Sequence, residues 1–87
     1  MTESARTDLE LVVAGQPLSR REHEVLTRAA EGKTVEETAS ELYLAVDTIK
    51  GYRRRVIAKL RANNISHAIA IGFQEGILPL RRKKMTA

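Results

Sequence analysis

Val25, Leu26 and Ala29 share one side of a helix, and the residues around them supply both of its ends. Ser19 followed three residues later by Glu22 is a capping box, in which each side chain satisfies an orphan backbone N–H. The predicted helix runs to about Glu31, where Gly32 stops it. Thr34 and Glu37 repeat the device and open a helix of two to three turns, along which Ala39 and Leu42 continue the apolar stripe. A third helix is predicted over about residues 46–61, because Ile49, Val56 and Leu60 recur at seven and four residues with Val46, Tyr52 and Ile57 beside them. "NNIS" breaks that pattern. Asn64 or Ser66 can cap a fourth helix ending near Glu75, with Gly76 as its C-terminal residue and Pro79 forbidding continuation.

The expected architecture is therefore all-α, with four helices between residues 18 and 78. Residues 1–17 show no long periodic pattern and read as an acidic leader, with a short ordered turn at Leu9 to Val13. Residues 79–87 read as a basic tail. The fourth helix, "HAIAIGFQ", is apolar around much of its circumference. Ile69 and Phe73 form one i,i+4 pair and Ile71 lies on another face; a plain core helix with Ile77 and Leu80 folding back as a lid is one alternative, and in the other only one face completes the core. The remainder, Ala68, Ile71, Gly72 and Glu75, is assigned to contact with a second subunit.

Charge changes this picture from a bundle to a candidate binding module. Residues 1–44 carry nine acids and five bases, whereas residues 45–64 carry six bases and one acid. Such focused positive charge suits a phosphate backbone, and a solvated helix face is its plain alternative. At about 100° per residue, Asp47, Lys50, Gly51, Arg54, Ala58 and Arg61 turn away from the apolar stripe of the third helix. Arg53 projects near the stripe, so its stem is expected to pack while its guanidinium reaches the rim.

Composition excludes more than it identifies. With 87 residues the chain has room for one thin core, and with no cysteine it has neither disulfides nor a thiolate zinc site. The apolar run Leu11 to Ala14 is too short for a signal peptide or a membrane span, so a cytoplasmic address is expected. His23 and His67 fall in different helices, Glu37 is already used as a cap, and no glycine loop cradles a phosphate. Neither an enzyme, a metal site nor a cofactor is expected.

A short capped helix, a connection at Tyr43 to Ala45 and a longer helix with a polar outer face make a helix-turn-helix unit, whose second helix enters the DNA major groove. Lys33, Thr34, Thr48, Lys50, Arg53, Arg54 and Lys59 are assigned to phosphate contacts. Val46, Asp47, Gly51 and Arg54 are assigned to base edges. Arg54 stands in both sets because sequence does not fix how deeply it sits.

From Leu18 to about Leu78 the chain resembles the DNA-binding domain of the LuxR/GerE/FixJ group of bacterial transcriptional regulators, through "LSRREHEVL", "EGKTVEETASEL", "DTIKGY", "VIAKL" and "NNISHAIAIGFQEGIL". The resemblance implies a four-helix module that binds double-stranded DNA as a homodimer, with the third helix in the groove and the fourth at the dimer contact. It also implies phosphate-contact roles for Lys50 and nearby residues and a scaffold role for Glu22. Ala45 stands where the pattern favours Ser, Tyr52 where it favours His, and Ile65 where it favours Arg. The expected architecture is that of the short, freestanding members, with control by abundance or by a regulatory protein partner. A competing class is an adaptor or anti-regulator that keeps the fold while its basic helix binds an acidic protein surface.

Overall fold

The computed structural model describes residues 15–79, and within them the chain forms α1 (Arg20–Ala30), α2 (Val35–Leu42), α3 (Val46–Leu60) and α4 (Ile65–Gln74). This is the expected all-α, four-helix order. The proposed turn at Leu9 to Val13, the Leu80 half of the lid and the residues after it lie outside the described residues.

Three helices begin on side-chain caps. Ser19 Oγ accepts from the Glu22 N–H at 3.2 Å, and Glu22 Oε1 accepts from the Ser19 N–H at 2.8 Å. Thr34 and Glu37 close the same reciprocal pair at 3.0 and 2.8 Å. At α4 the choice between caps falls to Asn64, whose Oδ1 accepts from the His67 N–H at 2.8 Å. Only α3 starts uncapped: Ala45 has the extended backbone of an N-cap but no oxygen to offer.

The connection between α2 and α3 turns through Tyr43, at φ 59°, and the Leu44 N–H returns to the Ala39 carbonyl at 2.9 Å. Arg61 ends α3 in the same left-handed conformation, at φ 57°. Both are side chains in a backbone region that glycine enters more cheaply, and Tyr43 remains 93% exposed.

The core is two adjoining clusters joined by α1 and α3. Val25, Ala39, Leu42 and Ile49 fill the first, with Val35, Leu44, Val46 and Tyr52 against it. Leu26, Val56, Ala68 and Leu78 fill the second, with Ile57, Leu60, Ile65 and Ile69 among those packed on it. Consecutive residues Val25 and Leu26 thus serve different clusters, and Ile49 and Val56, two turns apart, do the same on α3. Burial on both sides ties α3 to every other helix.

One assignment on α4 is corrected here. Ala68 is fully buried and Gly72 is buried, so neither lies on an outer face: a Cβ on Gly72 would stand 2.9 Å from Leu78 Cδ1 and 3.4 Å from Leu26 Cδ2. The lid is made by Leu78, 3% exposed, while Ile77 is half-buried and its N–H bonds the Gly72 carbonyl at 2.8 Å. The outward side of α4 instead carries Ala70 and Phe73, the latter 41% exposed.

Ala45→Ser should add the missing cap and stabilise the chain by about 1 kcal/mol, read as a higher urea midpoint with an unchanged slope. An unchanged midpoint would show that the start of α3 needs no cap.

Candidate nucleic-acid interface

The pose of α3 is set by one buried carboxylate. Glu22, 3% exposed, accepts from Lys59 Nζ at 2.7 Å and from the Ser19 N–H at 2.8 Å through Oε1, while Arg55 Nε approaches Oε2 at 3.4 Å. Burial acts to raise the Glu22 pKa, but the hydrogen bonds from Lys59 and Ser19 and the nearby lysine charge outweigh it, holding the carboxyl below its ordinary value. Lys59 Nζ also donates to the Pro17 carbonyl at 3.2 Å, and the Gly15 N–H donates to the Lys59 carbonyl at 2.8 Å. One side chain thus ties α3 to α1 and to the strand of chain entering α1.

That geometry corrects the assignment of Lys59 to a phosphate contact. Its side chain is 12% exposed and its charge is spent inside the domain. Arg53 is also drawn inward: Nη2 donates to the Lys33 carbonyl at 3.2 Å, Nε is buried without a protein partner, and only part of the residue reaches the rim. Val46 is half-buried against the first core cluster, which leaves it only partly available to a ligand.

Asp47, Thr48, Lys50 and Arg54 are exposed on α3, and Gly51 lies among them half-buried. Arg54 Nη2 and Arg55 Nη1 each come within 3.8 Å of the position a Gly51 Cβ would take, so both guanidinium groups lean over the glycine. Arg55 was not singled out from sequence. Besides its approach to Glu22, its guanidinium lies 4.8 Å from the Tyr52 ring centroid, a cation–π distance. Its position four residues before Lys59, on the same flank of α3, is the signal that both turn toward α1.

The start of α2 is less cationic than expected. Lys33 Nζ is held by Glu41 Oε2 at 2.8 Å, and Arg28 Nε holds the other oxygen of the same carboxylate at 2.8 Å. The hydrogen bond and charge of Glu41 raise the Lys33 pKa, and the Lys33 and Arg28 bonds lower that of Glu41. Thr34 spends its hydroxyl and N–H on the capping box, which leaves the Val35 and Glu36 N–H groups as the unused donors at this end. Of the residues assigned to subunit contact, Ile71 is half-buried and Glu75 exposed. Both histidines have structural partners: His23 Nε2 donates to the Ile77 carbonyl at 2.9 Å, and His67 Nδ1 accepts from the Asn63 N–H at 3.0 Å.

A capped short helix, a tight left-handed turn and a longer helix with an exposed polar face, held at a fixed angle by a third helix, define a helix-turn-helix protein. The chain belongs to the luxR family of bacterial regulatory proteins, whose pattern (GerE) matches residues 16–71. It is 42% identical over 60 residues to YvfU of Bacillus subtilis, named an uncharacterized transcriptional regulatory protein, a match covering 69% of this chain and 30% of that one. It is 38% identical over 61 residues to NarL of Mycobacterium tuberculosis, a probable transcriptional regulatory protein, covering 70% and 28%. DesR of Bacillus subtilis, a transcriptional regulatory protein, is 34% identical over 67 residues, covering 77% and 34%. The chain matches about a third of the length of these relatives. Among the described residues no helix is long and apolar enough to cross a membrane.

Glu22→Gln should leave Lys59 buried without its counter-charge and cost about 3 kcal/mol at neutral pH. The folded-state pKa of Glu22 is depressed, so its contribution is present above the unfolded glutamate value and lost as pH falls through the lower folded value. Urea midpoints of wild type and Glu22→Gln should accordingly converge in acid; a constant gap across that window would exclude ionised Glu22 as the source of the difference.

Proposed function

We propose that this chain is a transcriptional regulator that binds double-stranded DNA through α3 in the major groove, as a homodimer. The observation that carries the reading is the exposed set Asp47, Thr48, Lys50 and Arg54 on a helix whose adjoining flank is locked to α1 by Glu22. A rigid helix presenting one polar, mostly cationic face suits a groove better than a flexible charged tail does. The names of the relatives, which are transcriptional regulatory proteins, support the same class.

Roles within the face follow from reach. Thr48, Lys50 and Arg54 contact phosphates, and Lys33 joins them by exchanging the Glu41 carboxylate for a phosphate oxygen. Thr34 contributes through the helix start that it caps rather than through its hydroxyl. Arg53 acts from beneath, fixing the Lys33 carbonyl and hence the start of α2. Asp47 accepts from cytosine N4, Val46 meets a thymine methyl with the part of its side chain that the core leaves uncovered, and Arg54 addresses guanine where it reaches the groove floor. Two copies meet through the outer side of α4, where Phe73 exposes apolar surface beside Ala70, with Ile71 and Glu75 at its margin.

A sequence-resolved selection from random duplexes tests the whole reading. It should enrich two related half-sites, and light scattering should find two chains on the selected duplex. No enrichment, together with a stable complex of this chain with another protein, would instead favour an adaptor that uses the same basic face. Lys50→Ala should weaken binding similarly across sequences and reduce the salt slope by about one unit. Asp47→Ala should instead change preference at one or two base pairs, and an unaltered preference would remove Asp47 from base readout.

A further inference from the structure

Glycine inside a helix is less stable than alanine there, so each such glycine calls for a local reason. Gly15, Gly32 and Gly76 lie outside the helices, in turns at φ 90°, 87° and 75°, which leaves Gly51 and Gly72. Gly72 has its reason in packing, since a Cβ would press on Leu78 and Leu26. Gly51 has none of this kind. Its backbone is ordinary right-handed helix within α3, and a Cβ would meet only the side-chain tips of Arg54 and Arg55, both at 3.8 Å, which is normal contact. The fold would accept a side chain at this position and gain helix stability from it.

We propose that Gly51 is the depth-setting position of the DNA interface: its missing side chain lets the α3 backbone seat against the base edges of the major groove. This rests on the DNA-binding reading above and adds a specificity-determining role to one residue. Asp47 lies one turn before Gly51 and Arg54 one turn after it, on the same exposed side. Both are therefore brought to the base edges only when nothing projects between them. Arg54, which leans over the glycine beside Arg55 in the free protein, swings aside to a base as the groove takes its place, while Arg55 keeps to the flank where it meets Glu22. Any side chain at residue 51 lifts the helix, and the two flanking side chains lose reach together. Phosphate contacts by Lys50 and Thr48 are made at the groove rim and survive a small lift.

The test uses the full chain, a duplex taken from the selection and a scrambled duplex of equal length. Gly51→Ala should raise the thermal midpoint of the free protein by several degrees, because the helix gains a better helix former. The same variant should lose at least tenfold in affinity for the selected duplex, much less for the scrambled one, and Gly51→Leu should lose more than Gly51→Ala. Opposite signs in stability and affinity separate this role from a structural one. Selected-duplex affinity that is unchanged or improved in Gly51→Ala overturns the proposal while leaving the DNA reading intact. A lowered thermal midpoint also overturns it, because the glycine would then serve the fold. If the wild-type chain selects no duplex, the proposal and the reading it rests on fall together.

Discussion

Everything that α3 presents to solvent depends on the carboxylate of Glu22. An ionised acid at 3% exposure is costly unless its oxygens are satisfied, and here Lys59, Arg55 and the Ser19 N–H converge on it. The arrangement has a directional consequence that apolar packing alone lacks. Side chains of Val56 or Ile49 tolerate a small rotation of α3, whereas the Lys59–Glu22 bond of 2.7 Å and the approach of Arg55 one turn earlier define an angle about the helix axis. The acid also belongs to the α1 capping box, so the register of α1 and the rotation of α3 are set by the same group.

Once that rotation is fixed, the charge of α3 is sorted into two populations. Arg55 and Lys59 neutralise the interior acid, and Arg53 supports the loop before α2. Lys50 and Arg54 remain outside. The basic stretch is therefore only partly a binding surface, and much of its charge holds the helix in place. Around it, Glu36 and Glu37 are exposed acids in the first turn of α2, so a phosphate at that helix start is confined to the Lys33 side. A cationic edge beside an acidic body orients an approaching duplex as well as attracting it.

Helix ends were the most legible part of the sequence because capping is local chemistry: Ser19 with Glu22, Thr34 with Glu37, and Asn64 each act on a backbone group three residues away. The uncapped start at Ala45 was legible for the same reason. Periodicity likewise identified Ile49 and Val56 as core and turned Asp47, Lys50 and Arg54 outward. It failed where the outcome depends on a neighbouring helix. Lys59 and Arg55 lie on the flank of the apolar stripe, and only the presence of Glu22 across the interface draws their charges inward. On α4 an almost wholly apolar sequence gives no contrast between faces, and the buried side is decided by Leu26, Val56 and Leu78 closing on Ala68 and Gly72. Small residues there mark close packing within the chain, not a contact with a second subunit.

Through its buried acid, α1 holds α3 in a preformed pose whether or not a duplex is bound. Backbone amide shift mapping by NMR, with a selected duplex titrated into the isotope-labelled chain, tests it most directly. The largest shifts should fall on Lys33 to Glu36 and on Val46 to Arg54, while the amides around Glu22 and Lys59 keep their positions. Shifts centred on α1 and the last turn of α3, with residues 46–54 unmoved, would contradict it.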